Sequence, residues 1–326
     1  MKRVRVAVLL AAVAMAAGCT SGQDVTESRV PAGGPPMPKG AAEVTDQKAP
    51  SADTSCDPTA SLRPDGPPPA PGDFPAGSKM AEIRARGKLV VGVDQNTYRF
   101  GYRDAATGDL QGFDIDMAKE IARAIFGRPD AIQFTVLTSA DRVPMVRDGK
   151  VDLVVQTMTI NCERRKEVEF SSVYYLAGQR VLVKENSGFE GIQSLGGKKV
   201  CAAHGSTSIA NIVNAPVDPK PVGIGVAGWT DCLVMLQQNQ VDAVSTDDTI
   251  LAGLAAQDPF TEVVGAPFTE EPYGMAMSKD APEFTRFVNA VLERLRTSGE
   301  WTRIYNRWLA GLLGRAATPP AAEYRD

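Results

Sequence analysis

From residue 80 to residue 308 the apolar positions keep two alternating rhythms. Short apolar runs at 88–94 (KLVVGVD), 131–137, 151–155, 180–184, 199–203 and 241–245 predict strands, and the unbroken run at 151–155 suits a sheet covered on both faces. Helical spacing separates these runs. Met117, Ile121, Ala124 and Ile125 fall at i, i+4, i+7 and i+8 behind Gly112-Phe113-Asp114. Residues 80–86 predict a short helix stopped by Gly87, and Leu233, Leu236 and Gln237 mark another that opens at Trp229. Phe284, Phe287, Val288, Val291, Leu292 and Leu295, then Trp301, Ile304, Tyr305 and Trp308, line one face of two closing helices, a stripe that reads as core rather than ligand site. Strands alternating with helices define an α/β fold.

Both ends of the chain break this rhythm. Lys2, Arg3 and Arg5 precede an apolar run at 6–17 too short for a resident span, so residues 1–18 read as an export leader ending Ala16-Ala17-Gly18-Cys19. Residues 19–77 hold twelve of the chain's 23 prolines, with Gly and Ser around them and few large apolar groups, and so predict a disordered tether. Cys56 is the one feature a plain spacer does not explain. Residues 314–326 form a polar tail. The formal charge of −4 becomes −7 without the leader's three cations, which argues against a nucleic-acid partner. Four cysteines follow Cys19, none in a Cys-x-x-Cys pair, and His204 is the single histidine, so no metal, redox motif or cofactor is expected.

The chemistry gathers behind the run at 151–155, in VDLVVQTMTINCERRKEVEFS. Thr157 and Thr159 offer hydroxyls and Arg164 a planar fork of donors, a set that suits a carboxylate. Residues 164–166 read equally as a solvated helix start. Asp94 stands at the carboxyl end of its strand, where ligands gather in open α/β sheets. Tyr98 follows, either covering a ligand or packing in the core. Ser139 and Arg142 open a helix whose amides and dipole favour an anion, the alternative being a surface arginine paired with Asp141 or Asp148. Gly205-Ser206-Thr207-Ser208 precedes another such helix, and Asp247 and Asp248 close the strand at 241–245. Asp114 and Asp116 read as helix caps rather than as an acid–base pair.

The pattern T-x-T-x-x-x-E-R-x-K-x-V-x-F-S after VDLV, with Gly112-Phe113-Asp114-Ile115-Asp116-Met117-Ala118-Lys119-Glu120-Ile121-Ala122, resembles the extracellular polar-amino-acid-binding proteins that serve ABC transporters, over about residues 79–313. That resemblance implies a two-lobed, periplasmic-binding-protein-like (Venus flytrap) fold. Lobe 1 would be 78–175 plus 272–313 and lobe 2 176–271, joined by a two-strand hinge. It implies Arg164, Thr157 and Thr159 on an α-carboxylate and Asp247, or else Asp248, on the α-ammonium. Ser139 and Arg142 would take the side chain, and Ser206 and Thr207 would close from lobe 2. The end of the leader resembles a bacterial lipobox, with Ala16 where Leu is usual. This implies palmitate-type lipid on Cys19 and a monomer anchored on the extracytoplasmic face of the cell membrane; plain secretion is the alternative. With the lobes so placed, Cys201 and Cys232 share one lobe and are expected to bridge, leaving Cys56–Cys162. Four free thiols are the alternative, although disulfides persist in exported proteins.

The function these readings imply is binding of a polar amino acid for an ABC permease, aspartate or glutamate first and asparagine or glutamine next, with Asp94 open to repelling an acidic side chain, neutralising Arg142 or accepting from a side-chain amide. A sensor reporting to a membrane receptor would use the same site. A dehydratase-like enzyme on a similar fold would need a poised acid in the cleft.

Overall fold

The apolar runs fold into two separate sheets in a computed structural model that describes residues 36–50 and 53–325. The leader and Cys19 lie outside the described residues. In the first sheet Leu89–Val93 lies between Ile132–Val136 and Leu153–Val154, parallel to both, and Ala276–Met277 runs antiparallel between Leu153–Val154 and Glu169–Phe170. Leu89, Val91 and Val93 are fully buried in one core with Met117, Ile121 and Ile125 of helix Phe113–Phe126 and Val288, Val291 and Leu295 of helix Pro282–Thr297. The second sheet runs, in spatial order, Ala42–Val44, Val222–Val226, Lys199–Ala203, Ala243–Asp247, Gln179–Lys184 and Thr261–Val264. Its own core gathers Val200, Ala202, Ile209, Trp229, Leu233 and Leu251. Tyr175–Ala177 and Glu271–Tyr273 pair antiparallel and join the two, so the molecule has two lobes on a two-strand hinge.

Four sequence expectations change. The strand expected at 151–155 keeps its ladder only at Leu153–Val154, with the Asp152 and Val155 N–H groups donating to Val90 and Gly92 carbonyls on either side. Neither Asp114 nor Asp116 caps the Phe113 helix. Gly112 does, at φ +130°, where a Cβ would lie 2.1 Å from the Phe100 carbonyl oxygen, and only glycine fits. Asp116 instead accepts from Trp308 Nε1 at 2.8 Å, so Trp308 lies at the edge of the core with its polar tip paired. The expected spacer is ordered in part: Ala42–Val44 pairs antiparallel with the edge of the second sheet, and Ser61–Leu62 pairs parallel with Tyr324–Arg325 of the tail. Composition measures the apolar area a segment can bury; it is silent on strand edges and cross-links that order the segment from outside.

Both sulfur pairs form as expected, Cys56–Cys162 with Cα atoms 5.8 Å apart and Cys201–Cys232 with 5.5 Å. No described helix is long and apolar enough to cross a membrane.

Candidate functional site between the lobes

Behind Leu153–Val154 the chain leaves the sheet through Thr157, a β-branched residue at φ +38°. Holding such a residue in that region costs about 1–3 kcal/mol and persists only where its surroundings over-determine it. They do here. The Thr157 N–H donates to Asp114 Oδ2 at 2.9 Å, and Asp114 Oδ1 accepts from the Tyr174 hydroxyl at 2.8 Å. The Ile160 N–H reaches the Pro272 carbonyl at 2.8 Å and the Gly274 N–H reaches that of Met158 at 3.0 Å, stitching the loop to the hinge strand. Burial raises the Asp114 carboxyl to about 7, against the pull of those two donors.

Asn161 then caps helix Cys162–Glu167, its side chain accepting the Arg164 N–H at 2.9 Å. The Arg164 side chain is half-buried; it donates from Nη1 to the Thr159 carbonyl at 2.5 Å and from Nη2 to the Gly205 carbonyl at 3.0 Å. Arg142, buried, donates from Nε to Ser139 O at 3.0 Å, from Nη1 to Gln156 O at 3.0 Å and from Nη2 to Gly205 O at 3.4 Å. Two guanidinium groups of lobe 1 therefore meet one carbonyl of lobe 2, and the lobes are closed on each other. Gly205 fits this approach through its φ of +73°, and a Cβ there would lie 2.6 Å from Ala140 Cα. Burial, and then the neighbouring Arg164, lower Arg142 to about 9; burial lowers Arg164 to about 10.

Facing them, Asp247 is buried at the end of Ala243–Asp247. Its Oδ2 accepts from the Tyr273 hydroxyl at 2.5 Å, while Oδ1 is buried with no hydrogen-bond partner among the described residues. Burial first, and the like charge of Glu271 second, hold this carboxyl well above its ordinary range, so a cation brought to it would gain strongly.

The structure brings Thr157, Thr159, Arg164, Arg142, Ser139, Thr207 and Asp247 to this closure, but several do other work. The Thr159 and Thr207 hydroxyls, expected on a ligand, donate to Glu271 Oε2 at 2.5 and 2.8 Å. Ser206 caps helix Thr207–Val213: its Oγ accepts from the Ile209 N–H and donates to Ala203 O at 2.7 Å. Asp94 fastens its own turn, with Oδ1 accepting from the Gln95 and Asn96 N–H groups and Oδ2 from the Thr97 hydroxyl. Tyr98 packs edge-on to Tyr102, and its backbone crowds Gly253 of lobe 2. Asp248 binds Arg315 at 3.1 Å.

Three residues that sequence reading did not place in the site matter as much. Asp114 props the Thr157 loop, Tyr273 pairs Asp247, and Glu271, besides the two threonines, accepts from Thr269 Oγ1 at 2.8 Å and Asn211 Nδ2 at 3.2 Å. Glu271 and Tyr273 lie in Glu-Pro-Tyr-Gly, which pattern marks only as a crossing between lobes.

Two α/β lobes on a hinge, closing over paired cations and an under-bonded carboxylate, define a receptor for a small zwitterionic or charged molecule. Residues 89–311 match the profile of bacterial extracellular solute-binding proteins, family 3, and the chain belongs to that family. It is 39% identical over 231 residues to the ABC transporter glutamine-binding protein GlnH of Bacillus subtilis, covering 71% of this chain and 84% of that one. It is 28% identical to the glutamate/aspartate import solute-binding protein of Escherichia coli, covering 72% and 80%. Among solved structures it is similar to the ancestral amino acid-binding protein AncCDT-1, a precursor of cyclohexadienyl dehydratase, with a TM-score of 0.64, 31% identity, and coverage of 71% of this chain and 99% of that one.

Proposed function

We propose that this protein captures a free polar amino acid outside the cytoplasm and delivers it to an ABC permease, held to the membrane by lipid on Cys19. Arg164, with the loop of Thr157 and Thr159, takes the α-carboxylate; Asp247 takes the α-ammonium; Ser139 and Arg142 face the side chain, and Thr207 closes from lobe 2. The observation that carries this is Asp247: a buried carboxylate with one oxygen unbonded, across from two half-buried or buried arginines. An α-amino acid presents the complementary pair of charges at one carbon. Two guanidinium groups against Asp247 and a self-satisfied Asp94 favour aspartate and glutamate over asparagine and glutamine. The names of the relatives, glutamine-binding and glutamate/aspartate-binding, support the class and bracket the choice.

The protein is a binder rather than a dehydratase-like enzyme on this reading. Asp94, Asp114 and Glu271 each accept two or more hydrogen bonds, which suits fixed struts better than a travelling proton. Calorimetric titration with aspartate, glutamate, asparagine, glutamine and lysine tests it. Tight binding of the acids with no heat from lysine is expected. Binding of amides alone would move specificity away from Arg142, and silence with all five would end the amino-acid reading.

A further inference from the structure

The segment before the first lobe touches both lobes. On lobe 2, Ala42–Val44 adds an edge strand in the register Ala42 to Gly225 and Val44 to Gly223. His204 Nε2 lies 3.1 Å from the Gly40 carbonyl, and Asn214 Nδ2 donates to the Gln47 carbonyl at 2.7 Å. The very next residue belongs to lobe 1: Lys48 pairs with Glu163. Asp53 follows, 2.6 Å from Lys166 Nζ, then the Cys56–Cys162 disulfide, the Pro58 carbonyl on Arg165 Nε at 2.7 Å, and the Ser61 hydroxyl on the Phe170 carbonyl at 2.7 Å. Apart from Phe170, these lobe 1 anchors sit on helix Cys162–Glu167, which carries Arg164.

We propose that the described residues 41–50 and 53–62 act as a strap across the cleft, which limits how far the lobes open and slows escape of a bound amino acid; the second effect rests on the function proposed above. Its last hold on lobe 2 is Gln47 and its covalent hold on lobe 1 is Cys56. Nine residues at about 3.3–3.6 Å each set a ceiling of roughly 30 Å on that span. Opening first costs the exposed, weak Lys48–Glu163 pair and the Lys166–Asp53 pair, whose carboxylate is buried, and then draws on the strand pairing. The strap also walls one mouth of the cleft. A cavity of about 520 Å³ is lined by Asp53, Thr54 and Pro58 on one side and by Thr159, Thr207 and Glu271 on the other. The strap lies before residues 89–311, which match the family.

The test compares the full chain with two variants that cut the strap at opposite ends. Cys56→Ser/Cys162→Ser frees it from lobe 1; Glu43→Pro/Val44→Pro removes two consecutive N–H groups and so breaks the lobe 2 ladder in either phase, leaving the disulfide in place. Circular dichroism confirms that each is folded. Small-angle scattering of the ligand-free protein and stopped-flow release of aspartate or glutamate are then read. The strap predicts a larger radius of gyration and about tenfold faster release in both variants. Folded variants with the parent's radius and release rate would overturn it. Should the intact protein bind no amino acid, the function proposed above fails while the scattering comparison still decides the strap.

Discussion

Arg164 shows what a single side chain contributes here. Its two bonds end on carbonyls of both lobes, and its charge faces Glu271 and Asp247. Replacing it by alanine strands a ligand carboxylate in a place with little water. Arg164→Ala is therefore expected to weaken amino-acid binding by about 3–5 kcal/mol, with the fold kept, as titration and a melting curve would show together. Asp114 makes a different residue-scale prediction. Its folded value of about 7 lies above the ordinary carboxylate range, so between about pH 4 and 7 the folded state holds a proton that the unfolded chain has lost. The stability it contributes is fully present below about pH 4 and is lost as the pH rises through 7. Urea midpoints at pH 5 and pH 8 should fall further for the parent than for Asp114→Asn; equal falls would place the titration elsewhere. From the residues alone Arg164 stood open between a carboxylate clamp and a solvated helix start, and only the folded chain shows it bonded to carbonyls of both lobes. Asp114 was misread as a cap because a carboxylate near a helix start usually is one, and only tertiary structure turns it toward Thr157.

At the scale of elements, strand and helix positions followed from apolar spacing, since each element buries one face against its own sheet. The boundaries did not. Leu153–Val154 is shorter than its apolar run because the loop behind it is bent to reach the hinge strand. The Gly205–Ser208 turn separates two roles that sequence merges. Ser206 is an N-cap and Thr207 is the hydroxyl turned to the cleft. Ser206→Ala should cost about 1 kcal/mol of stability through the lost cap, and affinity should fall by less than that. Parallel denaturation and titration would show it; a loss of affinity larger than the loss of stability would return Ser206 to the ligand. The spacer was the least legible element. Its order comes from an edge strand, two ion pairs and a disulfide, none of which a proline count registers.

The whole molecule is organised around Glu271, where a hinge strand collects hydroxyls from lobe 1 and lobe 2 on one oxygen. Thr159 of lobe 1 and Thr207 of lobe 2 both donate to it in the closed arrangement, so closure is expected to draw on this carboxylate. Alanine there leaves the Thr159 and Thr207 hydroxyls without their shared acceptor, while Asn211 keeps its bond to Gln179 Oε1, and each buried donor so stranded costs about 1–3 kcal/mol. The open state can hydrate those same groups, so the loss falls on closure rather than on the folding of either lobe. Glu271→Ala should thus melt close to the parent when ligand is absent. Saturating ligand tells the two apart: at 100 times the dissociation constant it adds about 2.7 kcal/mol to the parent, a rise of roughly 4 °C for a protein of this size. The variant, given the same ligand concentration, should rise by less than half as much. A variant that rises as far as the parent would mean that closure does not pass through Glu271, and one that melts far below the parent without ligand would make Glu271 a support of the fold instead.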